Sequence, residues 1–150
     1  MDAESRRIIE WDCQQVLTRF INCLDARDYD GLSACFAPDG VWFRPGGPVR
    51  GPSAIHAAVA GRPDPASLTI RHVISNIVVD PLDEDHAEAV TYLTVYRYEG
   101  APSEKGLAPL LGPYMVGVST NKLVRVGTKW RIAEKRTQRI FERSASQGPS

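Results

Sequence analysis

The order of two hydrophobic periodicities along the chain constrains its fold most. Apolar residues between Ala3 and Ala26 recur every three or four positions, which is the spacing of one helix face. Long segments rich in β-branched and aromatic residues follow later, at 68–79, 87–98, 114–126 and 129–137. This order predicts an α+β fold. The helices would pack in the concave face of a strongly curved, cone-shaped sheet that is mixed but mostly antiparallel.

Shorter elements are expected between these two parts of the chain. Asp28 is placed to cap a second helix from Tyr29 to Phe36. Residues 41–43 read as a short strand, and the proline and glycine residues at 45–48 read as a turn. A third helix is expected from Gly51 to about Ala60, with a break at Pro63.

Composition narrows the class of protein. The chain of 150 residues has 18 basic and 18 acidic side chains, and this balance argues against a nucleic-acid or anionic-membrane surface. No apolar stretch is long enough to span a membrane, and the first residues do not resemble a signal peptide, so we expect a cytoplasmic protein. We predict one domain at 1–143 and a flexible tail at 144–150.

Three cysteines fall in the helical part of the chain, at Cys13, Cys23 and Cys35. An odd number without a CxxC spacing is typical of neither a disulfide framework nor a zinc site. We therefore expect small core residues.

Asp25 and His72 stand where apolar residues would be expected, near the end of the first helix and within a strand segment. A histidine can serve first as base and then as acid near neutral pH. A carboxylate on its other ring nitrogen would fix the tautomer and stabilise the imidazolium. The pair suggests a dyad in a pocket between helix and sheet. The alternatives are a local hydrogen bond of Asp25 at the helix end and a hydrogen-bonded core role for His72.

Ser119 and Asn121 share one face of a predicted strand, where they could donate hydrogen bonds to a developing oxyanion. The same alternation is also typical of a solvated strand face. The histidines at 56, 72 and 86 show no spacing of metal ligands, so we predict no metal and no cofactor.

Four segments together with His72 carry a family resemblance: LDARDYDGL at 24–32, CFAP at 35–38, RGPSAI at 50–55 and GTKWRI at 127–132. On these residues the chain resembles the SnoaL-like group of the nuclear-transport-factor-2-like superfamily over essentially its whole length. Within that group it is most similar to scytalone dehydratase and hexachlorocyclohexane dehydrochlorinase, which are cofactor-free eliminating enzymes. Their helix Asp and strand His match Asp25 and His72. Scytalone dehydratase has a Tyr where this chain has Leu24, so scytalone itself is not the expected substrate.

The resemblance implies a cofactor-independent, dehydratase-type lyase that acts on a small cyclic hydroxy-ketone or polyketide-like substrate. His72 would be the base and Asp25 the residue that orients it. The substrate-binding residues would be Asn121, Ser119, Phe20 and Trp42. Two alternatives stay open: a polyketide cyclase or isomerase that uses the same pocket, and a noncatalytic ligand-binding or oligomerisation module like the β subunit of ring-hydroxylating dioxygenases. We expect a homo-oligomer, either a dimer or a trimer.

The segment at 99–113 is longer than a hairpin connection needs, and it carries Leu107, Leu110 and Leu111. We expect this segment, or the stretch after Thr137, to cover the pocket mouth. The alternative is that the leucines pack against a neighbouring subunit.

Overall fold

The computed structural model describes residues 1–61 and 64–144. The predicted break at Pro63 and all of the predicted tail except Ser144 lie outside the described residues. The elements are α1 (Ala3–Ala26), α2 (Tyr29–Ser33), β1 (Phe36–Arg44), β2 (Gly47–Arg50), α3 (Pro52–Ala60), β3 (Leu68–Pro81), β4 (His86–Glu99), β5 (Met115–Val126) and β6 (Lys129–Glu142). Within the described ranges, no helix is both long and apolar enough to cross a membrane.

The six strands form one sheet in the order β2-β1-β6-β5-β4-β3. The β1–β6 pair is parallel, and the other neighbouring pairs are antiparallel. Because β2 and β3 are the two edge strands, the sheet is not closed. This architecture confirms the predicted α+β fold with a mixed, mostly antiparallel sheet.

Helix α1 packs across the inner face of the sheet, against β3, β4 and β6. Its first turn is capped by the Asp2 side chain, which accepts a hydrogen bond from the Ser5 N–H at 2.7 Å. Its buried residues follow one helix face: Ile9, Cys13, Leu17, Phe20 and Ile21. Ile8 and Trp11 are apolar residues of the same helix, but they are exposed because they lie outside this face. The helix ends at Ala26, and the next residue, Arg27, has a left-handed backbone (φ 58°) whose N–H donates to the carbonyls of Cys23 and Leu24.

Two of the shorter elements differ from the prediction. Helix α2 ends at Ser33, because Phe36 already pairs with Ile132 in the parallel β1–β6 ladder. Residues 47–50, of which 47 and 48 were expected in a turn, form β2 and pair with the end of β1. Gly46 makes this tight connection possible, because its φ of 99° is open to glycine and costly for other residues.

A β-bulge divides β3 into two halves with different side-chain alternation. Up to Ile74 the even-numbered residues, including His72, face the inner side. The register shifts between Ser75 and Val78, and Asn76 adopts a left-handed backbone with φ 49°. The inner face therefore continues through Ile77 rather than through Val78, which a simple alternation from His72 would have placed there.

The long β4–β5 connection does not cover His72. Its leucines are exposed, and residues 108–112 lie beside Arg71 and Tyr96, which are partners on the outer face of the β3–β4 ladder. Arg143 holds this connection by donating hydrogen bonds to the carbonyls of Leu111, Gly112 and Pro113. The expectation of a lid formed by this segment is wrong for this structure, because the segment lies on the opposite side of the sheet.

Cys13, Cys23 and Cys35 are free thiols. Cys13 and Cys35 are buried in the core, and burial raises their pKa values to about 12 and about 11. Cys23 is only partly buried. The prediction of small core residues is confirmed for the first two.

Candidate active site

Asp25 and His72 are in direct contact, although 47 positions separate them along the chain. Asp25 lies in the last turn of α1, and His72 lies on the inner side of the edge strand β3. The Asp25 Oδ1 atom is 2.6 Å from His72 Nδ1. The other carboxylate oxygen, Oδ2, accepts a hydrogen bond from the His72 backbone N–H at 2.9 Å. One carboxylate therefore holds both the ring and the backbone of the histidine.

This geometry selects one form of the imidazole. Because an ionised carboxylate only accepts hydrogen bonds, the proton of a neutral His72 ring belongs on Nδ1. The second ring nitrogen, Nε2, then carries a lone pair. The two side chains are 14% (His72) and 13% (Asp25) exposed, so the pair is largely withdrawn from water without being sealed. Such an imidazole is suited to accept a proton from a bound molecule.

The neighbours of His72 on the inner face are apolar. Ile70 and Ile74 flank it on β3, and its ladder partner on β4 is the buried Val95. Leu93, the ladder partner of Ile74, is also buried. A low-polarity surrounding strengthens the electrostatic interaction between the imidazolium and the carboxylate.

Ser119 and Asn121 also lie on the inner face, and both are buried. The Ser119 hydroxyl is 2.7 Å from the Thr137 hydroxyl, and the Asn121 amide donates to the Ala89 carbonyl at 3.4 Å. This burial excludes the solvated strand face. Neither side chain hydrogen-bonds to Asp25 or His72 in the described part of the chain.

The ladder registers measure how far these residues lie from the dyad. His72 on β3 pairs with Val95 on β4, whereas Asn121 on β5 pairs with Ala89, which is six positions from Val95 along β4. At about 4.8 Å for each of the two strand steps and ~3.4 Å per residue, Asn121 is roughly 22 Å from His72 along the sheet surface. The two groups mark opposite regions of the inner face.

Phe20 and Trp42 belong to an aromatic cluster with Phe36. The Phe20 ring meets the other two edge-on, with centroids 5.8 Å from Phe36 and 5.1 Å from Trp42. Phe20 is fully buried, whereas Trp42 is partly exposed. Phe20 and Trp42 were both predicted to contact the substrate, but only Trp42 has exposed surface that a ligand could reach without a rearrangement of the core.

Lys135 is a buried polar residue that the sequence did not reveal. Its ammonium group donates to Asn121 Oδ1 at 3.1 Å and lies 4.8 Å from the centroid of the Phe20 ring. No carboxylate of the described residues lies within ion-pair distance of it. Burial lowers the pKa of Lys135 to about 8. Because an ammonium only donates, it also fixes the Asn121 amide with its oxygen toward Lys135.

The alternation along β6 does not predict that Lys135 is buried, and the reason is a local irregularity of the strand. Ile132 faces inward, so strict alternation would place Glu134 inward and Lys135 outward. The β5–β6 ladder gains one residue between Ile132 and Glu134, and this bulge turns Lys135 toward the core.

No three or more His, Cys, Asp or Glu side chains come together as metal ligands in residues 1–61 and 64–144. His56 pairs with Asp30 at 3.0 Å and His86 with Asp83 at 3.0 Å, both at exposed positions. These two pairs resemble the dyad in composition but not in burial.

Residues 7–136 match the family model of the SnoaL-like domain. A search of curated proteins found no match. Among solved structures, a hexachlorocyclohexane dehydrochlorinase (LinA, type 2) aligns with a TM-score of 0.76 and 16% identity, over 93% of this chain and 90% of that chain. A provisionally named scytalone dehydratase from Novosphingobium aromaticivorans aligns with a TM-score of 0.74 and 15% identity, over 93% and 89%.

A third similar structure is Aln2 from a Streptomyces species, with a TM-score of 0.70 and 25% identity over 93% of each chain. Because the sequence identities are low, these structural similarities are evidence for the fold alone. The family model covers most of the sequence, including both residues of the dyad. The chain belongs to the SnoaL-like domain family.

Proposed function

We propose that the protein is a cofactor-independent lyase that eliminates water from a small cyclic hydroxy-ketone or polyketide-like substrate. The observation that carries this proposal is the double contact of Asp25 with His72, which leaves the Nε2 lone pair as the available base. Two structural relatives have names that denote eliminations, a dehydratase and a dehydrochlorinase, and these agree with the proposed reaction class.

In the proposed reaction, His72 Nε2 removes the proton from the carbon next to the substrate carbonyl. The electron pair of that C–H bond forms the new carbon–carbon double bond as the C–OH bond breaks. The imidazolium returns the proton to the departing hydroxyl, which leaves as water, and the neutral His72 is regenerated. Asp25 stabilises the imidazolium while it exists.

We further propose that Asn121 and Ser119, together with Trp42 and Phe20, bind the part of the substrate that lies away from the dyad. The Asn121 amide supports this role, because Lys135 holds its oxygen and one N–H donates to the Ala89 carbonyl, which leaves the second N–H as a donor for the substrate. Because these residues lie roughly 22 Å from His72 along the sheet, only an extended, polyketide-like substrate would contact both regions of the inner face.

The proposal is tested by incubating the protein with a panel of cyclic β-hydroxy-ketones and following the ultraviolet absorbance of the enone product. His72→Ala should nearly abolish turnover, and Asp25→Asn should lower the rate by ~10²-fold or more. The matched controls are His56→Ala and Asp30→Asn, which alter an exposed pair of the same composition. Turnover that survives His72→Ala, or an equal loss of melting temperature and activity in both dyad variants, would contradict the catalytic role.

A second measurement needs no substrate. Nitrogen NMR should find the neutral His72 ring protonated on Nδ1 in the natural protein. In Asp25→Asn the side-chain NH2 can donate to Nδ1, which would move the ring proton to Nε2. An unchanged tautomer in that variant would remove the physical reason for assigning the orienting role to Asp25.

We also propose that the chain forms a homo-oligomer through the outer face of the β3–β4 region. Val73, Val78, Val90 and Tyr92 are exposed there on neighbouring strands. Contiguous apolar side chains on an uncovered sheet face are typical of subunit interfaces.

A further inference from the structure

A cleft of about 250 Å³ lies between α1 and the beginning of β6, and neither Asp25 nor His72 lines it. From α1 it is lined by Asp12, Gln15, Val16 and Arg19, which share one helix face. Residues 128–131 line the other side. Its size is just below the range of pockets for drug-sized ligands, so it suits a smaller molecule.

The cleft carries an excess of positive charge. Arg19, Lys129 and Arg131 line it together with a single acidic residue, Asp12. The side chains of the three cations make no ion pair or hydrogen bond with any described residue. Arg125, by contrast, is paired with Asp85 at 2.8 Å only a few residues away. The cations of the cleft are therefore available to a ligand.

Cys35 also lines the cleft, and the charges of Arg19 and Arg131 both act on its thiol. Burial is the main influence on the Cys35 thiol and raises its pKa to about 11, while the charges of Arg131 and Arg19 act in the opposite direction. Both charges therefore lie near Cys35. Beside it, the buried Trp130 and the partly buried Val16 provide apolar surface.

We propose that this cleft binds a small organic oxyanion, a carboxylate or a phosphate monoester. Its charged group would lie between Arg19 and Arg131, and its apolar part would lie against Trp130 and Val16. A planar guanidinium is suited to either oxyanion because it donates two parallel hydrogen bonds. Arg19 precedes Asp25 by six residues, about 9 Å along α1, so the cleft is separate from the dyad and does not depend on the proposed lyase activity.

Calorimetric titration at low ionic strength tests the proposal, because salt would screen exposed charges. The probes are phenyl phosphate, benzoate, inorganic phosphate and phenol. Phenyl phosphate or benzoate should bind more tightly than inorganic phosphate, and phenol should not bind. The tighter of the two aromatic anions identifies the preferred head group. Absence of binding by both aromatic anions at millimolar concentration would overturn the proposal.

Four variants locate the binding. Arg19→Gln and Arg131→Gln should each weaken the binding at least ~tenfold, as expected for a lost hydrogen bond to a charged group. Arg7→Gln is the matched control, since it removes the same charge from an exposed position on α1 outside the cleft. Asp12→Asn should tighten binding, because it removes the one negative charge. Melting temperatures without ligand check that each variant is folded. Equal weakening by Arg7→Gln, or no change with Arg19→Gln and Arg131→Gln, would show that the cleft is not the site.

Discussion

Lys135 brings an amino group into the core, where no described carboxylate balances its charge. Only 5% of this residue is exposed, and its one side-chain hydrogen bond within residues 1–61 and 64–144 goes to Asn121. Taking a charged group out of water costs free energy unless the group is paired. For Lys135 this cost disfavours the protonated form and lowers the pKa to about 8. The ordinary value for lysine is 10.5, so protonation is harder in the folded chain than in the unfolded one.

The unfolding free energy should therefore depend on pH through Lys135. Between the folded and unfolded pKa values the unfolded chain binds more protons, so stability rises with pH from about 8 toward 10.5 and the full penalty remains below 8. From pH 7 to pH 9 the natural protein should gain roughly 1 kcal/mol relative to Lys135→Met. Urea unfolding of both proteins at the two pH values measures this. An identical pH dependence would mean that Lys135 titrates as an ordinary surface lysine.

At the scale of the elements, two of the register shifts, one in β3 and one in β6, decide which side chains reach the inner face. The bulge in β3 centres on Asn76, whose left-handed backbone is tolerated better by Asn and Gly than by other residues. Beyond it, Val79 and Pro81 are buried at odd-numbered positions. Without this extra residue the second half of β3 would present the opposite face to α1.

Asn76→Val should lower the unfolding free energy by about 1–2 kcal/mol, because a β-branched residue is strained at φ 49°. Asn76→Gly is the control, because glycine adopts this backbone without strain and should change stability by less than about 1 kcal/mol. Chemical denaturation of the three proteins gives the comparison. A Val variant as stable as the natural protein would indicate that the bulge can move to a neighbouring residue.

Long periodic segments made most of the fold predictable from the sequence. The bounds of α1 follow from the helical spacing, and the strands from β3 to β5 lie within two residues of their expected positions. Residues 47–50 were not expected to pair, because four residues with Gly and Pro carry too little pattern to distinguish an edge strand from a turn. Alternation also failed beyond Asn76 and beyond Ile132, since a bulge adds a residue without a sequence mark.

The candidate site was predictable to the extent that polar residues interrupt apolar patterns. His72 and Asp25 stood out for that reason, and the structure brings them into contact. The sequence left the environment of Asn121 open, because alternating polar residues fit both a buried wall and a wet surface. The burial of Lys135 could not be predicted from the sequence. Lysine is usually exposed, and the bulge just before Lys135 reverses which residues of β6 face inward.

At the scale of the whole molecule, the outer face of the sheet carries exposed apolar side chains at Val73, Val78, Val90 and Tyr92. Tyr92, at 45% exposure, lies between Ser75 of β3 and Val118 of β5 in the ladders, near the middle of this surface. The long connection at 108–112 lies along the same side of the sheet. An interface centred on Tyr92 would cover these residues without touching the inner face.

Light scattering should therefore find a mass that is a multiple of the 16.5 kDa monomer. Tyr92→Glu should shift it toward the monomer, because a charge buried without a partner is costly at an interface. Val126→Glu is the control, since Val126 is similarly exposed (41%) but lies at the β5–β6 turn. A monomeric natural protein, or equal dissociation of both variants, would contradict an interface at this face.

The contact between Asp25 Oδ2 and the His72 backbone N–H has a consequence for the sheet itself. Among the described strands, β3 has a neighbour only on the β4 side, so its other side offers backbone donors and acceptors to a strand of another molecule. Asp25 occupies one of those donors from the end of α1. The Asp25 carboxylate, which we propose orients the catalytic base, thus also hinders β3 from pairing with a strand of another molecule. Reaction chemistry and resistance to aggregation would then depend on the same two oxygen atoms.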